Sequence, residues 1–391
     1  MSKNFAFAQR TNWSLSSNRL MKTVHKLRED KIPLFDLTNS NPTDCQFRFL
    51  NQKILRPLGQ KKNLTYKPNP QGSLEAREAV SRYYKEKGFH VQPQHIFLTS
   101  STSEGYSFLF RLLVDPQNQV LFPCPSYPLF QYLVDLNDIV MKNYSLSYEG
   151  SWRIDFKQMR ESLTTNTKAV VLVNPNNPTG SYILKEELSD LNKICRERNT
   201  ALIGDEVFWD FAFDPNEQHL SLIGNTEVLT FVLGGISKIL GLPQMKLSWI
   251  ILSGPDDLVE AAVGRLEVIS DTYLSVSTPA QNSLNQWLSS KEEIFKEMKL
   301  RIKGNISFLK TQCESASPCR LLNAQGGWYA VLRIPDTCSE EEWSLKFLTE
   351  DHVFVHPGYF FDFKEEPIIV LSLLPPSESF QEGVRRILKR M

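Results

Sequence analysis

Between residues 96 and 252 the chain repeats one pattern: a short apolar run ending in small, acidic or amide-bearing residues, then a longer amphipathic stretch. The apolar runs fall at 96–100, 119–123, 169–173, 201–204, 228–233 and 247–252, and helical periodicity marks 103–113 and 185–198. Runs such as AVVLV are apolar throughout, as expected of strands covered on both faces. Strands alternating with helices predict a mostly parallel α/β sheet, with room for an antiparallel member. The polar ends, LTSSTSEG, NPNNPTG and GDE, follow the first, third and fourth runs. In open α/β sheets ligands bind beyond the carboxyl ends of the strands, so these groups are expected to share one crevice. After about residue 271 the pattern changes to a long helical region followed by GGWYAVLRI and VFVHPG…IIVLSLL, which reads as a smaller α+β unit.

Lys+Arg and Asp+Glu both number 44, so nothing in the bulk charge draws the chain to nucleic acid or an anionic membrane. No apolar run approaches the roughly 18 residues of a spanning helix, and the N-terminal stretch has no signal-like apolar core. The six cysteines (45, 124, 195, 313, 319 and 338) are scattered, without CxxC or zinc-type spacing, and the six histidines form no HExxH. A cytoplasmic protein acting on small molecules, with no metal, is expected.

Lys238 stands in GGISKILGLP, between two apolar runs and among Gly234, Gly235 and Gly241. Glycines permit close ligand approach, and a desolvated amine has a lowered pKa and attacks aldehydes readily. Asp205 closes a strand, and Ser101, Thr102 and Ser103 open a helix whose N–H groups suit a phosphate. Taken singly, each has an ordinary reading. Lys238 would be a solvated charge, Asp205 a satisfied strand-end carboxylate, and the serines an N-cap. Tyr66 and Tyr127 would be structural aromatics, and Asn177 part of a turn.

Taken in order, the segments resemble the landmarks of class I/II aminotransferases, enzymes of pyridoxal-5′-phosphate (PLP) fold type I. YKPNPQG, LTSSTSEG, PCPSYPLF, NPNNPTG, GDEVF, SKILGLP and VFVHPGYFF resemble the family's landmark segments in the family's order, covering about residues 38–373. The resemblance implies a mostly parallel seven-stranded sheet in a large PLP-binding domain, residues 45–275. A small domain would combine 1–44 with 276–391, and the active site would lie at a homodimer interface. It further implies that Lys238 carries PLP as a Schiff base, Asp205 pairs with the ring nitrogen, Asn177 bonds the phenolic oxygen and Tyr127 stacks on the ring. Ser101, Thr102, Ser103, Ser237 and Lys246 would hold the phosphate, joined by Tyr66 of the neighbouring subunit. The implied reaction moves an amino group between an amino acid or amine and a 2-oxo acid. A PLP lyase, racemase or decarboxylase, or a PLP-binding protein without turnover, are the alternatives.

Four positions depart from the family pattern. Phe208 replaces a tyrosine, and Gly235 a serine three residues before the lysine. Lys246 replaces an arginine, which loses bidentate geometry. Val370, in IIVLSLL, stands where an arginine normally clamps the substrate α-carboxylate, and no arginine occurs between Arg333 and Arg385. Three readings are open. Arg10, Arg19, Lys67 or backbone N–H groups near Ser40 hold the carboxylate, the substrate lacks one in the usual place, or there is no turnover.

Overall fold

The computed structural model describes residues 6–274, 276–314, 318–364 and 367–391. Its main sheet has eight strands: β1 (Ile96–Thr99), β2 (Gln119–Cys124), β3 (Val140–Tyr148), β4 (Trp152–Ile154), β5 (Thr167–Val173), β6 (Ala201–Asp205), β7 (Thr230–Gly235) and β8 (Ser248–Ser253). They lie in the order β1-β8-β7-β6-β5-β2-β3-β4. From β7 through β6, β5 and β2 to β3 every pairing is parallel, whereas β8 runs antiparallel to both β1 and β7. The mostly parallel sheet expected from the sequence is therefore present, with the three-residue β4 added on the β3 edge. β3 has no apolar run because it lies beside that edge and buries only Tyr144 among its nine residues.

The inner strands are covered on both sides, which explains their unbroken apolar runs. Leu98, Val170, Leu202, Val232 and Ile251 pack into the core on one face. Phe97, Val171, Ile203, Phe231, Leu233 and Ile250 pack on the other. Val259, Ala262 and Leu266 of the helix Asp256–Tyr273 and Phe108 and Leu109 of the helix Thr102–Leu113 belong to the second face.

A second sheet is antiparallel throughout. Its strands β9 (Arg320–Leu321), β10 (Tyr329–Arg333), β11 (His356–Pro357) and β12 (Ile368–Ser372) lie in the order β9-β10-β12-β11. The N-terminal Phe35–Asp36 pairs in parallel with Val353–Phe354, and Ser372 N–H donates to the Leu37 carbonyl at 2.7 Å. The start of the chain is thus stitched to its last strand. The two sheets meet where Gly326 N–H donates to Gly180 O (3.0 Å) and Gly327 N–H to Phe211 O (2.9 Å). Gly180 has φ 69°, and any Cβ there would run into the Gly326 carbonyl and Ala324. Glycine is required for this contact.

Candidate active site

β6 and β7 are adjacent and parallel, so their carboxyl ends bring a buried carboxylate and a partly buried amine to one edge of the sheet. β7 runs into the one-turn helix Ile236–Ile239, which carries Ser237 and Lys238. The Lys238 ammonium nitrogen lies 4.9 Å from the Trp328 ring centre and 5.4 Å from that of Phe208. Burial lowers the amine pKa to about 8, against the opposing pull of the Asp205 charge. Asp205 closes β6 and accepts hydrogen bonds from the Tyr106 hydroxyl (3.0 Å) and Val207 N–H (3.2 Å). Burial raises its carboxyl pKa to about 6 despite those bonds, so at neutral pH it still carries its charge. Tyr106 went unnoticed in the sequence because it reads as one more aromatic on the inner face of a helix.

The NPNNPTG segment divides its three asparagines between two kinds of work. Asn174 bonds Glu206 (3.0 Å) and the Leu220 carbonyl (2.8 Å), and Asn176 bonds Thr179 (2.9 Å) and the Pro125 carbonyl (3.3 Å). The third, Asn177, is buried with its side-chain oxygen unpartnered among the described residues. A buried amide without a partner is uncommon and marks a place where a ligand group fits.

Tyr127 is 40% exposed and stands edge-on to Phe130, near enough to Asp205 for that charge, together with burial, to raise its hydroxyl pKa. A cleft of 840 Å³ opens over it, bordered by Trp13, Tyr132, Lys142, Tyr359 and Lys364. Ser101 caps the helix Thr102–Leu113 and accepts Glu104 N–H at 3.1 Å, while Glu104 takes the Ser100 N–H at 2.7 Å. The N–H groups of Thr102 and Ser103, in the first turn, have no intrahelical acceptor. Lys246 is exposed, in a left-handed conformation (φ 49°) after the turn Pro243–Met245. Tyr66 is 66% exposed and lines a separate hollow with Lys67, Asp271 and Leu274. Among the described residues no three His, Cys, Asp or Glu side chains converge as a metal site.

The four departures are all structurally legible. Phe208 is buried edge-on to Trp328 (5.2 Å) and Tyr329 (6.4 Å), so an aromatic wall replaces a hydroxyl. Gly235 faces Ser248, where a side chain at 235 has no room. Lys246 keeps a positive charge in place of the arginine's fork. Val370 is fully buried in β12 between Val331 and His356. Of the groups considered for a carboxylate, Arg10 is paired with Asp138, Arg19 starts a helix near Glu342, and Lys67 lines the Tyr66 hollow. Burial raises the Tyr329 hydroxyl pKa, and the nearby Ser40 side chain opposes that rise while Tyr127 adds to it, so Ser40 lies close to Tyr329.

The family model "Aminotransferase class I and II" matches residues 32–386 of this chain. The chain belongs to this family. As a member it is an aminotransferase, a transferase of nitrogenous groups. The glutamate-pyruvate aminotransferase AlaA of Escherichia coli is 25% identical over 276 residues, 70% of this chain and 68% of that protein. An alanine aminotransferase of Mycobacterium tuberculosis is 25% identical over 327 residues, 81% of this chain and 76% of its own length. Among solved structures, an alanine aminotransferase from Pyrococcus furiosus superposes with a TM-score of 0.89 at 23% identity, covering 98% of this chain and 99% of that one. That likeness identifies the fold of this aminotransferase as PLP fold type I.

Proposed function

We propose that this aminotransferase binds PLP covalently at Lys238 and transfers an amino group between an amino acid and a 2-oxo acid. The observation that carries the reading is the pair at the ends of β6 and β7, an amine with a pKa lowered to about 8 opposite a carboxylate. The residues present fit the cofactor. Asn177 has a buried amide whose N–H groups are available to donate to a ligand oxygen, two N–H groups are free at the start of a helix, and Tyr127 offers a half-open ring face.

When bound, PLP supplies a cationic ring into which the electrons of a substrate Cα bond can pass. Asp205 holds a proton at the ring nitrogen through its charge, and Tyr106 and Val207 orient that carboxylate. Asn177 donates to the phenolic oxygen. The hydroxyls and N–H groups of Ser101, Thr102, Ser103 and Ser237 hold the phosphate, with Lys246 as a point charge. The Lys238 amine would be the base that takes the substrate Cα proton, at a pKa suited to neutral water. Phe208 and Trp328 close off solvent on its aromatic side. Tyr66, exposed on its own chain, serves the phosphate site of a second copy, so the active form is a homodimer. The six cysteines are free thiols, which suits the cytoplasm. No helix among the described residues is long and apolar enough to cross a membrane.

The substrate carboxylate meets neutral groups here, Ser40 and Tyr329, in place of an arginine. Hydrogen bonds between neutral donors and a carboxylate are weaker than a bidentate ion pair. Amino acids should therefore bind loosely but still react. Mixing the PLP-loaded protein with a panel of amino acids and simple amines, and following conversion to the pyridoxamine form, tests this. Conversion by ordinary amino acids is expected. Conversion by amines alone would reassign the substrate class, and release of ammonia and an oxo acid without conversion would identify a lyase.

The lowered lysine pKa gives a second expected outcome. Only the free amine attacks an aldehyde, so PLP uptake by the cofactor-free protein should accelerate as pH rises through about 8 and level off above it. Stopped-flow absorbance across pH 6–11 reads this directly. A midpoint near the ordinary lysine value of about 10.4 would mean that Lys238 is solvated.

A further inference from the structure

We infer that Ser248 supplies to the cofactor phosphate the hydroxyl that position 235 lacks; this rests on the PLP reading above. The family resemblance implies a serine three residues before the lysine, where this chain has Gly235. In β8, Ser248 lies directly between Gly235 of β7 and Thr99 of β1. Residues directly opposite each other in antiparallel strands point to the same face. A Cβ on Gly235 would clash with the Ser248 hydroxyl and lie 2.9 Å from its Cβ and 3.1 Å from its Cα. The two positions cannot both carry a hydroxymethyl group, and this chain carries it on the opposite strand.

The face is the right one. Two residues further along the strands, Leu233 and Ile250 lie beneath Gly105 of the helix Thr102–Leu113, at 2.9 and 3.5 Å from where its Cβ would be. Stepping back along β8 from Ile250 to Ser248 moves toward the carboxyl end of β1, where that helix begins. Ser248 is therefore seated below the first turn, where the N–H groups of Thr102 and Ser103 lack acceptors. It is 1% exposed, and its hydroxyl has no hydrogen-bond partner among the described residues. A buried hydroxyl without a partner beside an anion-binding helix start is the arrangement expected of a phosphate donor.

The test compares PLP with pyridoxal, which has the same aldehyde and no phosphate. Cofactor-free protein is titrated with each, and covalent uptake is followed by absorbance. Ser248→Ala should weaken PLP binding about tenfold or more, as for one hydrogen bond to a charged group, and leave pyridoxal uptake unchanged. Gly235→Ser alone should lower the melting temperature through the clash. The double variant Gly235→Ser/Ser248→Gly, which moves the hydroxyl back across the strands, should recover both stability and PLP affinity. Equal loss for PLP and pyridoxal in Ser248→Ala, or no loss for either, would overturn the inference and leave Ser248 a packing residue. Failure of the unsubstituted protein to take up either aldehyde would instead overturn the PLP reading itself.

Discussion

Replacing Lys238 with alanine is expected to abolish covalent attachment of PLP and to lower turnover by about 10³-fold or more, since one group serves as both attachment point and base. After borohydride reduction, mass spectrometry should find the cofactor on the peptide containing Lys238 and on no peptide of the variant. An adduct that persists elsewhere would refute the assignment. Stability should move the other way. The amine pKa is about 8 in the folded protein, against an ordinary lysine value of 10.5. Between those values the unfolded chain binds more protons, so the cofactor-free protein gains stability as pH rises from about 8 toward 10.5. Below pH 8 it carries the full penalty of a desolvated ammonium, partly offset by Trp328 and Phe208. Cofactor-free Lys238→Ala should therefore melt higher at pH 7, and the difference should shrink above pH 8.

The second large effect is expected from Asp205→Asn. Removing the charge that holds the ring nitrogen protonated should reduce turnover by roughly 10²–10³-fold, the size seen when one electrostatic stabiliser is lost. Lys238 remains, so covalent uptake of PLP should persist, which separates the two variants. The carboxyl pKa is raised from 3.8 to about 6 by burial. Between those values the folded state binds more protons than the unfolded one, so stability falls as pH rises through that window and stays lower above it. Asparagine does not titrate. Melting curves of the cofactor-free proteins should diverge between about pH 4 and 6, with the variant at least as stable at pH 7. A variant much less stable at pH 7 would show that Asp205 is chiefly a structural anchor for Tyr106 and Val207.

The inner strands were legible because burial on both faces gives each an unbroken apolar run: β5, β6, β7 and β8 fall within two residues of those runs. β3 was not legible, since a strand that is only partly covered and buries one residue writes no apolar pattern. Lys238, Asp205 and Asn177 stood out because each sits in a short segment with its own chemistry. Tyr106 and Ser248 did not, for a common reason. Each acts through a neighbour distant in sequence, Asp205 for one and Gly235 for the other, and only the sheet register brings them together. Val370 was visible in the sequence, whereas the proximity of Ser40 to Tyr329, residues far apart in the chain, is announced by no local pattern.

The hydrogen bond from Ser372 to Leu37 ties together residues from opposite ends of the chain. The groups proposed to face the cofactor's ring and phosphate within one copy lie in one continuous stretch, residues 101–248, whereas Ser40, Tyr66, Tyr329 and Val370 lie in the two flanks. Inherited change can therefore act on the two parts separately. Drift at the flanks can replace a substrate handle while the central stretch stays fixed. Grafting the flanking segments of an arginine-bearing relative onto the central stretch would be the corresponding engineering route to a different amino donor.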